Sequence, residues 1–162
     1  MAYVSLDSDQ IKKAHKKHKY TKEQVEHLEK CMDDVTGPLY FMRTFMKIQH
    51  PTKGELQFEP FPYQERLVEA YNNHRFSISM LPRQTGKTTC ASGYLIWYAM
   101  FKPDSQILIA AHKYAGASDI MSRVRYAYEM LPSWIKAGVT QYNRNSIAVS
   151  YTHLRAHETL RY

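Results

Sequence analysis

The feature that most narrows what this chain can fold into is the stretch Leu81-Pro-Arg-Gln-Thr-Gly-Lys-Thr88. It lies between an apolar run over residues 76–80, expected to be a short strand, and a helix expected over residues 87–101. The phosphate-loop pattern G-x-x-x-x-G-K-[ST] is met at Gly86, Lys87 and Thr88, while Leu81 stands where the first glycine would be. The residues that remain are the ones with direct chemistry. Gly86 lets backbone approach phosphate oxygens, and the N–H groups at a helix start converge on an anion. Lys87 would reach the β- and γ-phosphates, and the Thr88 hydroxyl would ligate Mg²⁺. Three such residues recur by chance, and the same stretch could be an ordinary turn with a solvated lysine. The flanking strand and helix at the right spacing carry the nucleotide reading.

Two nearby features extend the site. Arg83 is either an arginine that stabilises charge on a transferred phosphoryl group or a surface residue clamping backbone carbonyls, and the sequence leaves both open. Upstream, Tyr63 offers a stacking face and Gln64 a carboxamide suited to an adenine edge. The candidate nucleotide-binding residues are thus Tyr63, Gln64, Gln84, Thr85, Gly86, Lys87, Thr88 and Thr89, with Thr88 on Mg²⁺ and with Lys87 and Arg83 as catalytic candidates.

The rest of the chain reads as a single α/β unit behind N-terminal helices. Thr21-Lys-Glu-Gln24 has the form of a capping box, and Val25, Leu28, Met32 and Val35 follow on one helical face until Gly37-Pro38, expected to end that helix. A second helix is expected over residues 39–48, with Phe41, Phe45 and Ile48 inward, stopped by His50-Pro51. Lys53-Gly54 looks like a turn. The segment Phe58-Glu-Pro-Phe-Pro62 is stiff and extended, because two prolines restrict their own torsions and those of their predecessors. A helix from Tyr63 buries Leu67, Val68 and Tyr71. After the phosphate loop and its helix, residues 106–111 read as a second buried strand and residues 114–131 as a helix closed by Pro132. Strand, loop, helix, strand, helix is the opening of a parallel sheet flanked by helices, an incomplete P-loop NTPase fold.

Charge and composition limit partners and compartment. Lys and Arg total 22 against 15 for Asp and Glu, a formal charge of +7 that favours polyanions. Six lysines and no acid fall within residues 11–22, a block read first as a solvated arm and second as a phosphate-backbone contact. His15 and His18 sit among these lysines, which would repel a metal cation. Two cysteines give no disulfide framework or metal spacing, which fits a reducing compartment. No apolar run is long enough to span a membrane, and the first ten residues lack a signal-peptide core.

Taken in order, Phe41-Met-Arg-Thr-Phe-Met-Lys-Ile-Gln-His-Pro51, Pro62-Tyr-Gln64, Arg83-Gln-Thr-Gly-Lys-Thr-Thr89, Ile109-Ala-Ala-His-Lys113, Leu131-Pro-Ser-Trp134 and Tyr142-Asn-Arg-Asn-Ser-Ile147 resemble the large terminase subunit, the DNA-packaging ATPase of tailed, especially contractile-tailed, bacteriophages. The resemblance covers most of residues 38–147. It implies that Gln64 contacts adenine, that Arg83 serves the γ-phosphate, and that Lys87 and Thr88 hold the phosphates and Mg²⁺ of ATP. It further implies double-stranded DNA, the small terminase subunit and the portal protein as partners. A homo-oligomeric ring is implied for the full-length protein, and the host cytoplasm, at the procapsid portal, as its place of work.

The departures are equally specific. No apolar strand ending in paired acids follows residues 107–111, so the Mg²⁺-linked Asp and the water-orienting Glu of the family are missing, and no nuclease domain is present. From Ser150 the sequence resembles translated adapter read-through, which makes His153 and His157 a coincidence rather than a metal pair. The expected division is therefore a basic arm and helix (1–37), a partial P-loop ATPase domain (38–149) and a non-native tail (150–162), with an isolated chain that is inactive. In the family's strand order two later strands separate residues 76–80 from residues 106–111, placing them about 14 Å apart with unpaired edges. A helicase-type ATPase and a non-catalytic nucleic-acid-binding module are the alternatives.

Overall fold

A computed structural model describes residues 11–14, 19–50, 52 and 54–150. The expectations for the tail beyond Ser150, and for His15 and His18, lie outside these residues. The first helix, α1 (Lys22–Met32), begins as its sequence dictates. Thr21 Oγ1 accepts from the Gln24 N–H at 3.3 Å, and the Gln24 side chain accepts from the Thr21 N–H at 3.1 Å. Leu28 and Cys31 are its buried residues.

The end of α1 departs from expectation. The helix stops at Met32, and Asp33 forms an Asx turn, its carboxylate accepting from the backbone of Val35 (3.0 Å) and Thr36 (2.6 Å) and from the Thr36 hydroxyl (2.8 Å). Gly37-Pro38 therefore opens the next helix, α2 (Gly37–Phe45), because a proline in the first turn forfeits no hydrogen bond. Val35, assigned to the apolar face, is 71% exposed in this turn. Helix α2 buries Phe41 and Phe45 as expected but ends before Ile48. Residues Lys47–His50 form strand β1, which pairs antiparallel with β2 (Gly54–Gln57), Ile48 opposite Leu56. The apolar periodicity of 39–48 fitted a longer helix, and the hairpin's cross-strand pairing overrode it.

Helix α3 (Pro62–Asn73) buries Gln64, Leu67 and Val68. The central element is α4 (Lys87–Phe101), packed against α2, α3 and α5 (Tyr114–Glu129). Its apolar residues occur around the whole circumference, which suits a helix surrounded by others. Trp97 is fully buried at its middle and donates from Nε1 to the Cys31 carbonyl at 2.7 Å, joining α4 to α1. Gly93 has no space for a side chain, since a Cβ there would meet Met42 Cε at 2.9 Å, and this lets α2 lie against α4.

The expected parallel sheet is not present among the described residues. Residues 76–80 and 106–111 belong to no strand, and no ladder pairs them with another described segment. Phe76, Ile78 and Met80 are 83%, 96% and 93% exposed, and Leu108 is 91% exposed. The segments are apolar and β-favouring, but a strand exists only through a partner's hydrogen bonds, and among the described residues no ladder reaches them. The sheets that form are two antiparallel hairpins, β1–β2 and a second made by β3 (Gly138–Tyr142) and β4 (Ile147–Ser150), with an irregularity between Val139 and Gln141. The turn of the second hairpin is closed by the Asn143 side chain, which accepts from the Asn145 and Ser146 backbone N–H groups at 3.0 and 2.8 Å.

The basic block is also not wholly a solvated arm. Ile11 is buried in the core, and Lys13 makes a parallel bridge to Val139. The Val139 N–H donates to the Lys12 carbonyl (2.8 Å), and the Ala14 N–H donates to the Val139 carbonyl (3.2 Å). The segment thus adds to the edge of β3, a pairing that its lysines concealed.

Candidate functional site

The candidate site is the loop that enters α4. Helix α4 starts at Lys87, as the motif requires, with Gly86 as its cap in the left-handed conformation (φ 70°, ψ 13°). Gln84 is left-handed too, at φ 62°. For a residue with a side chain this costs about 1–2 kcal/mol, so the loop holds Gln84 against its local preference. Left-handed residues thus flank Thr85 on both sides. The first turn of α4 carries no acid that would compete for those donors.

Within the loop, the Pro82 carbonyl is a hub. It accepts from the Lys87 ammonium at 3.1 Å and from the Thr85 hydroxyl at 3.1 Å. Lys87 is therefore folded back across the loop rather than extended away from it. Arg83 and Gln84 are exposed, and Thr88 and Thr89 are half-buried in the first turn of α4. Thr89 also lines, with Lys47, Gln49, Ser92 and Arg123, a polar cavity of about 440 Å³ between β1, α4 and α5.

Tyr63 and Gln64 reach the loop from the first turn of α3. The Tyr63 hydroxyl donates to the Thr85 carbonyl at 2.6 Å, and Gln64 Nε2 donates to the same oxygen at 3.1 Å. Gln64 Oε1 accepts from the Phe61 N–H at 3.0 Å. Gln64 is only 3% exposed, and its amide is engaged by backbone on both sides. The Tyr63 ring stacks on Phe61, centroids 5.9 Å apart and nearly parallel. The structure thus brings Tyr63, Gln64, Thr85, Gly86 and Lys87 together around one loop.

Two parts of this arrangement were not legible in the sequence. The Pro82 carbonyl is a backbone group and leaves no mark in the sequence. The Cys90 thiol donates to the Gln64 carbonyl at 3.7 Å, tying α4 to α3 one turn below the loop. Burial pushes the Cys90 thiol up to about 11, so it is a neutral donor at ordinary pH.

For a divalent cation the fit is partial. Among the described residues no group of three or more His, Cys, Asp or Glu side chains could hold a metal ion. Thr88 is half-buried in the first turn of α4. Mg²⁺ needs few protein ligands when phosphate oxygens and water complete its octahedron, so it would be held only together with a nucleotide.

One comparison with known proteins bears on this geometry. Residues 78–157 match the family model described as terminase large subunit, T4likevirus-type, N-terminal. The match takes in the loop before α4, α4, α5 and the β3–β4 hairpin, and it continues past Val149, where the sequence suggests a boundary.

Proposed function

We propose, for a chain that belongs through residues 78–157 to the T4likevirus-type large terminase subunit family, that its phosphate loop is the ATP site of a motor that translocates double-stranded DNA into a procapsid. The family carries the DNA-packaging role. The observation that supports an ATP site is local: Lys87 opens α4 on a left-handed glycine and folds its ammonium back over the loop. An ammonium resting on a neutral carbonyl is poised to exchange that partner for phosphate oxygen, a charge-assisted and stronger bond.

In this reading the N–H groups of Thr85, Gly86, Lys87 and Thr88 surround the phosphates, Lys87 neutralises their charge, and Thr88 lends its hydroxyl to Mg²⁺. Arg83, exposed at the loop's start, serves the γ-phosphate. The bound Mg²⁺ would supply charge neutralisation on the phosphates. Tyr63, Gln64, Gln84 and Thr89 complete the nucleotide site. The small terminase subunit and the portal are the protein partners, a ring is the working assembly, and the host cytoplasm at the portal is the place of work. The family match favours packaging over a helicase or a non-catalytic binding module.

After residues 107–111 the 162-residue sequence has no apolar segment followed by paired acids to place the attacking water. The chain therefore binds nucleotide weakly and turns it over negligibly. Titration with ATP and Mg²⁺ should show binding that Lys87→Ala abolishes, without phosphate release above background. Binding indifferent to Lys87→Ala would overturn the site. Magnesium-dependent phosphate release that disappears in Lys87→Ala would overturn the claim of inactivity.

A further inference from the structure

Gln64 is one of three polar side chains buried among the described residues, with Ser92 and Lys136. A carboxamide carries two donor hydrogens and two acceptor lone pairs. This one spends Oε1 on the Phe61 N–H and Nε2 on the Thr85 carbonyl, and Tyr63 donates to that same carbonyl. The next residue is in direct contact, since a Cβ on Gly86 would lie 2.8 Å from Gln64 Nε2.

A consequence follows from the peptide bond itself. Because the Thr85–Gly86 peptide is planar and trans, its C=O and N–H point in opposite directions. Two donors that hold the carbonyl toward α3 therefore turn the Gly86 N–H away from α3, toward the open side of the loop. They also leave Gly86 in the left-handed conformation from which α4 starts. We propose that Tyr63 and Gln64 are positioning residues that fix the orientation of the phosphate loop through the Thr85–Gly86 peptide, and so act on the anion. The proposal rests on the nucleotide reading above for its ligand, but its effect on the loop precedes any ligand.

The test has two arms on the full 162-residue chain. Tyr63→Phe removes one donor at a half-buried ring and leaves packing intact. Gln64→Glu keeps the acceptor for the Phe61 N–H and, once its carboxyl is ionised at alkaline pH, removes the donor. In the first arm, amide hydrogen exchange of the nucleotide-free chain should quicken over residues 84–88 in both variants, while residues 94–101 of the same helix keep their protection. Unchanged exchange at 84–88 in Tyr63→Phe overturns the proposal, whether or not Gln64→Glu folds.

In the second arm, affinities for ATP, GTP and inorganic tripolyphosphate are compared. Losing one hydrogen bond should weaken all three by a similar factor, about fivefold for Tyr63→Phe. A loss confined to ATP, with tripolyphosphate unaffected, would make these residues base readers and overturn the proposal. If the unaltered chain bound none of the three, the nucleotide reading would fall, and the exchange arm would still decide the pinning of the loop.

Discussion

The exposed segments on either side of α4 should make this chain self-associate, and the size of the effect can be estimated. Phe76, Ile78, Met80 and Leu108 are each more than four-fifths exposed and lie in segments whose backbone groups have no strand partner. Burying one such side chain is worth about 1.5–3 kcal/mol, so four of them offer about 6–12 kcal/mol to any contact that covers them. Association costs roughly 4–15 kcal/mol in lost freedom, so the balance lies near zero and depends on concentration. Replacing Ile78 and Leu108 together by lysine removes about half of the drive, roughly 3–6 kcal/mol, and adds like charge at an edge. At about 1.4 kcal/mol per decade, that is a weakening of at least a hundredfold. The fold itself should be indifferent, because both side chains already face solvent and such substitutions stay within about 0.5 kcal/mol. Sedimentation velocity between about 1 and 100 μM should show the unaltered chain associating and Ile78→Lys/Leu108→Lys monomeric, with matching far-ultraviolet circular dichroism. A wild-type chain that is monomeric throughout, or a double variant that associates equally well, would refute the reasoning.

Three further outcomes follow from the core and the turns. Trp97→Ala empties the centre of the helical core and strands the Cys31 carbonyl, so it should cost about 3–5 kcal/mol, read as a fall in melting temperature of roughly 6–20 °C. Cys31 and Cys90 are fully buried, with their thiols pushed by burial up to about 12 and about 11, so iodoacetamide at pH 8 should label neither until denaturant is added. Asp33 is held below its ordinary range, first by the Thr36 backbone N–H, then by the Thr36 hydroxyl and the Val35 N–H. Its contribution to stability is complete above the unfolded carboxylate's range and is lost as pH falls through the lower folded value. Denaturant melts across that acid window should therefore lose less stability in Asp33→Asn than in the parent.

How much of this protein was readable beforehand depends on the range of the interactions involved. Helix α4 was placed to the residue, and α3 and α5 nearly so, because a helix satisfies its backbone within a few residues and announces its start through Gly86, Pro62 or a capping box. The Thr21–Gln24 cap was legible for the same reason. Local chemistry misled where two local rules competed. Gly37-Pro38 could end one helix or begin the next, and the Asp33 turn chose the second.

Everything that depended on a distant partner was decided by tertiary structure. Residues 76–80 and 106–111 have the composition of strands, but strand pairing is supplied from outside the segment, and among the described residues neither receives it. The β3–β4 hairpin and the docking of Lys12 and Lys13 on Val139 arise in the opposite way, where pairing across the chain gave order to segments whose own sequence asked for little. The loop that enters α4 shows both halves at once. Its motif residues, Gly86, Lys87 and Thr88, are legible in the sequence, and α4 starts at Lys87 as their spacing requires. The shape of the loop is set by hydrogen bonds from Tyr63 and Gln64, more than twenty residues away in the chain, which only folding could bring to the Thr85 carbonyl.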